Sequence, residues 1–141
     1  MTPPALTLTL PLPDHDLSLN GRVGWREQRR GQREQKELAA LVALATLAGA
    51  PRPHFPAGVR LRVLIDVERR TRGNIWDTPA IIEATKGYLD GLEGYAYAND
   101  RQVRAFEVRW DAKPTGRGLI HLYISAYADR AGWPVVAWDT E

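Results

Sequence analysis

VRLRVLIDVERRTRGNIWDTPAIIEATKGYLDGL, residues 59–92, contains a change of period that decides the fold class. Val59, Leu61, Val63, Ile65 and Val67 recur every second position, which puts them on one side of a β-strand. After the basic, glycine-containing stretch from Arg69 to Asp77, the spacing changes. Ile81, Ile82, Thr85, Tyr88, Leu89 and Leu92 recur at helical intervals, and Asp77-Thr78-Pro79 supplies a capping side chain ahead of a proline suited to a first turn. A half-buried strand followed directly by an amphipathic helix predicts a sheet with helices packed against it.

Outward from this unit, Leu6-Thr-Leu-Thr-Leu10 alternates as a strand and is ended by Pro11 and Pro13. Residues 11–24 read as a loop. Trp25 to Ala48 reads as a helix, polar at first and then apolar, with Leu38, Leu41, Val42, Ala45 and Ala48 inward and Gly49 and Pro51 ending it. Val103 to Trp110 is a strand, Lys113 to Gly118 a turn, and Leu119 to Ile124 its expected hairpin partner. The expectation is an α/β (α+β-like) single domain spanning 1–141, with a mixed sheet in the order β-α-β-α-β-β. Its core runs from about 5 to 125, and its tail, 126–141, includes the apolar run Trp133 to Trp138.

With 141 residues and 44% hydrophobic content, the chain can bury a core without staples. It has no cysteine, so disulfides and thiolate metal sites are excluded, which fits the cytoplasm. The N-terminus lacks the pattern of a signal peptide, and Leu38 to Ala50 is too short to span a bilayer, so no membrane association is expected. Net charge is only +2, but the basic residues cluster. Arg22, Arg26, Arg29 or Arg30, and Arg33 recur every three or four residues, and Arg69, Arg70 and Arg72 crowd the loop after the second strand. The planar fork of arginine suits phosphate, so these groups are candidate nucleic-acid contacts. A solvated face that keeps the protein in solution would look the same.

There is no glycine-rich phosphate loop, and His15, His54 and His121 stand singly. Candidate chemistry rests instead on Asp77, Glu83, Asp90 and Asp100, with Lys86 one turn from both Glu83 and Asp90. Hard cations such as Mg²⁺ bind through one or two carboxylates and keep several waters. A lysine beside them can neutralise charge on a reacting oxygen. Read as structure alone, the same residues are ordinary helix-surface pairs and an N-cap.

The order of these features resembles the RusA family of Holliday junction resolvases. Leu10-Pro-Leu-Pro13 and Ser18-Leu-Asn20 are similar to the family's Pro-rich opening and its Ser-x-Asn pattern. Glu68-Arg-Arg-Thr-Arg72 matches its Arg-rich loop, and Lys86-Gly-Tyr-Leu-Asp90-Gly-Leu92 its Lys-bearing helix end. Asn99-Asp100-Arg-Gln102-Val103 is similar to its acidic pair followed by x-Gln-Val, and a closing hairpin is expected. The resemblance spans about Leu6 to Ile124. It implies a homodimer that binds four-way DNA junctions and makes paired, symmetric nicks with Mg²⁺, Mn²⁺ being a plausible substitute. It implies Asp100 as a metal ligand. The family's Asp-x-Asp-Asn motif is replaced by Ala80-Ile-Ile-Glu83, with Asp77 just upstream. Two consequences stay open: Asp77 and Glu83 supply the carboxylates from shifted positions, or the site is degenerate and the protein binds DNA or RNA without cutting it. On the first, the metal set is Asp100, Glu83 and Asp77, with Lys86 acting on the scissile phosphate. A third reading, from the Trp133 to Trp138 tail, is a protein-interaction adaptor.

Overall fold

Period-two sequences form strands here wherever their apolar side meets the helices. The computed structural model describes residues 3–13, 24–71 and 78–127. Among these, four strands and three helices follow one another as β1 (Leu6–Pro11), α1 (Trp25–Thr46), β2 (Leu61–Glu68), α2 (Thr78–Ala84), α3 (Lys86–Gly91), β3 (Val103–Trp110) and β4 (Leu119–Ala126). The arrangement is mixed α+β in a single small domain. The apolar positions 6, 8 and 10, then 61, 63, 65 and 67, then 120, 122 and 124 are all buried against the helices. Each large aliphatic side chain so buried contributes about 1.5–3 kcal/mol. The reverse face is polar or half-buried. It carries Thr7, Thr9, Arg62, Asp66, Glu68, Glu107, His121 and Tyr123.

The strand order is β1-β4-β2-β3. β2 and β3 are parallel, whereas β4 is antiparallel to both β1 and β2. This corrects the expected hairpin. β3 and β4 follow each other in the chain but are not neighbours, because β4 inserts between β1 and β2 with Ile124 opposite both Leu6 and Val63. Turn residues at 113–118 carry a hairpin signal, but β4 has apolar alternation on one side that is best buried at the sheet centre. Asp111 closes the end of β3 onto β2. Its carboxylate accepts from the Arg69 backbone N–H (3.0 Å) and from Arg69 Nε (2.7 Å).

The helix expected over Thr78 to Leu92 is two helices separated by Thr85. This fully buried residue has φ −91° and ψ 0°, and its hydroxyl donates to the Ile82 carbonyl at 2.9 Å. A threonine bonded to the preceding turn competes with the helical ladder. Ile81, Thr85, Tyr88, Leu89 and Leu92 are buried as expected, and Ile82 is half-buried.

α1 ends near the expected point, with Gly49 at φ 77° in the turn beyond it, but its inward face is rotated. Gln35, Ala39 and Ala43 are buried, Leu38 and Val42 are half-buried, and Leu41 is 68% exposed. Gly87 and Gly91 of α3 explain the rotation. A Cβ at Gly87 would collide with the Gln35 side chain and the Gln32 carbonyl, and one at Gly91 with the Lys36 carbonyl. The backbone of α3 approaches α1 closely at Gln32, Gln35 and Lys36, and Leu41 lies away from this contact, in solvent.

Candidate active site

At the edge of the sheet, the helix-facing side of β3 is incompletely covered by α2 and α3. A cavity of about 220 Å³ opens there, walled by Ile82, Leu89, Tyr97, Val103 and Phe106. Its polar lining is Glu83 from α2, Lys86 and Asp90 from α3, and Asp100 from the turn before β3. Three of the four residues expected to do chemistry therefore meet in one place, joined by Asp90. Asp77 lies outside the described residues.

The local sequence explains each position. Glu83, Lys86 and Asp90 are spaced three and four apart, and the single-residue break at Thr85 leaves all three directed to the cavity. Asp100 opens a short 3-10 turn, Asp100–Gln102. The Asn99 side chain accepts from the Arg101 N–H at 2.8 Å. The buried Gln102 accepts from the N–H groups of Ala98 (2.8 Å) and Asn99 (2.9 Å). It also donates to the carbonyls of Pro56 (2.8 Å) and Val59 (3.0 Å). These reciprocal caps fix the turn and with it Asp100.

Tyr97 reports on the electrostatics. Its ring is fully buried and its hydroxyl donates to the Leu89 carbonyl at 2.5 Å. Burial, reinforced by the carboxylates of Glu93, Asp100 and Asp90, holds this hydroxyl far above its ordinary value. The charge of these three carboxylates is therefore felt at the Tyr97 hydroxyl. Glu93 is a residue that sequence reasoning missed. It accepts from the Asp100 backbone N–H at 3.2 Å, and no helical spacing places it there because it follows the end of α3.

Among the described residues, no group of three or more histidines or carboxylates stands ready to hold a metal. The lining nevertheless suits a hydrated Mg²⁺, which requires one or two protein carboxylates and keeps its remaining waters. Asp90 and Asp100 could provide them, with Glu83 beside. The cavity thus joins an apolar wall to three carboxylates and one ammonium.

The predicted arginines divide. Arg26, Arg29, Arg30 and Arg33 are exposed and, with Trp25, line a second groove of about 320 Å³ on the first turns of α1. That stripe begins before the point where Gln32 and Gln35 meet Gly87, the neighbour of Lys86. Arg69 is instead held by Asp111, with side chains only 13% and 11% exposed, and Arg70 packs across Gly118. Arg22 and Arg72 lie outside the described residues, as do Ser18 to Asn20 and the Trp133 to Trp138 tail. Of the histidines, His54 contacts the Pro4 carbonyl, His121 lies between Thr9 and Glu68, and His15 is outside the described residues. No described helix is long and apolar enough to cross a membrane. No model of a known family matches the chain, and no curated protein is significantly similar to it.

Proposed function

We propose that the chain is a divalent-metal-dependent endonuclease acting on branched DNA, in the manner of the RusA-type resolvases it resembles. One observation carries the reading: Glu83, Lys86, Asp90 and Asp100 line a single cavity. The arginine groove of α1 lies on the helix packed against α3, which supports a DNA path leading to that cavity.

Bound there, a cation would generate a water nucleophile and stabilise charge on the phosphodiester oxygens. Asp90 and Asp100 would hold it, and Glu83 would orient its water shell. The Lys86 ammonium would balance charge growing on a reacting oxygen. Arg26, Arg29, Arg30 and Arg33 would grip backbone phosphates, which positions DNA without reading its sequence. Four-way junctions are the proposed substrate and a twofold homodimer the proposed form, because one symmetry axis sets two such sites on opposed strands.

The test is nicking of a labelled immobile four-way junction and a matched duplex, with Mg²⁺, with EDTA and with Asp100→Asn. Paired nicks in the junction alone, abolished by EDTA and by the substitution, are expected. Tight binding with no cutting under any metal would replace this reading with that of a non-catalytic DNA- or RNA-binding dimer.

A further inference from the structure

Trp25 is the first residue of α1 and 63% exposed, although burying an indole is among the larger gains available to a side chain. It does not stand alone. The guanidinium carbons of Arg26 and Arg29 lie 5.7 and 5.5 Å from its ring centroid, and Arg30 and Arg33 complete the groove. Among the described residues, no acidic side chain lines that groove.

Four arginines alone would account for phosphate binding. The indole adds nothing to that task, since phosphate presents no flat apolar surface. It contributes only if the ligand carries a planar face as well as charge. Bases in intact duplex are stacked on their neighbours and offer edges to a protein. Unpaired bases offer faces, and stacking on an aromatic side chain beside a cationic groove is how single strands are held without regard to sequence. Contacts between exposed guanidinium groups and the ring are weaker than a base stack, so an incoming base can replace or insert beside them.

We therefore propose that Trp25, with Arg26, Arg29, Arg30 and Arg33, forms a stacking site for an unpaired nucleobase. This inference deepens the branched-DNA reading and rests on it. The groove selects DNA with bases out of the helix, such as the opened centre of a junction or a single-stranded flap.

The full chain would be titrated, in EDTA to prevent cutting, against a fluorescent single strand and its matched duplex. A 2-aminopurine probe in the single strand would report stacking by quenching. Trp25→Ala is expected to weaken single-strand binding about tenfold or more and to abolish the quench. It should leave duplex binding within about twofold, whereas Trp25→Phe should retain most of both signals. Arg33→Ala should weaken single strand and duplex alike. Equal losses for both DNAs with Trp25→Ala, or no loss for either, would overturn the site. The nuclease reading fails separately: single-strand binding that depends on Trp25 in a protein that never nicks keeps the stacking site and removes the catalytic one. An acidic peptide that competes as well as the single strand, and depends equally on Trp25, would show that the groove does not read bases.

Discussion

Asp100 sits in a turn that one buried amide holds in shape. Gln102 satisfies two N–H groups and two carbonyls at once, so its replacement leaves several polar groups without their partner. Gln102→Ala is expected to destabilise the protein by about 1–3 kcal/mol, measured by urea unfolding. Gln102→Glu, which keeps the acceptor but not the donor, should recover only part of that. The chemistry should divide differently from the stability. Asp100→Asn, Asp90→Asn and Lys86→Met are each expected to lower nicking by about a hundredfold or more with junction affinity within about twofold. Mg²⁺ should raise the melting temperature of the wild type and not that of Asp90→Asn/Asp100→Asn, because a cation bound only by the folded state stabilises it by mass action. Asp111 sets a pH prediction. Burial works against its charge, but the hydrogen bonds and charge of Arg69 outweigh it and hold the carboxyl below its ordinary value. The stabilisation is therefore fully present above the unfolded value, near 3.8, and is lost as pH falls through the lower folded value. Asp111→Asn should remove that part of the acid limb in pH-dependent melting.

At the scale of elements, the seam between α1 and α3 is set by two glycines. Gly91→Ala would drive a methyl into the Lys36 carbonyl and is expected to cost about 1–3 kcal/mol, while Gly58→Ala, with open space around it, should change stability by less than about 0.5 kcal/mol. This seam is also where sequence reading reached its limit. Periodicity in β1 and β2 identifies the buried residues one by one, since a strand has two faces and the apolar one can only turn inward. In α1, hydrophobicity pointed to Leu41, yet the distance between helix axes was decided by residues on the other helix that have no side chain. The break at Thr85 was equally hidden, because a threonine hydroxyl has the same sequence signature whether it bonds backward or faces solvent. Glu83, Lys86 and Asp90 were legible from their spacing, and Asp100 from its resemblance to a known motif. That they share a cavity was not legible, as it depends on where β3 lies in the sheet. Arg69 reads as a phosphate contact until Asp111, forty-two positions away, is found beside it.

For the whole molecule, charge distribution predicts behaviour that net charge does not. A protein at +2 would bind DNA feebly if its charge were spread evenly, but four arginines gathered in one groove would release counterions together in the proposed complex. Junction binding should weaken steeply with salt, and each arginine of the groove replaced by alanine should flatten the slope by about one unit of log affinity per unit of log salt concentration. The position of β4 has a consequence in time. During synthesis β1 emerges early, yet among the described strands its only neighbour is β4, joined by pairs such as Leu6 with Ile124. A chain synthesised only to residue 118 therefore lacks the strand that joins β1 to β2 in the finished sheet. Joining β1 to the sheet must await β4, and until then the facing edges of β1 and β2 carry backbone N–H and C=O groups without their strand partners.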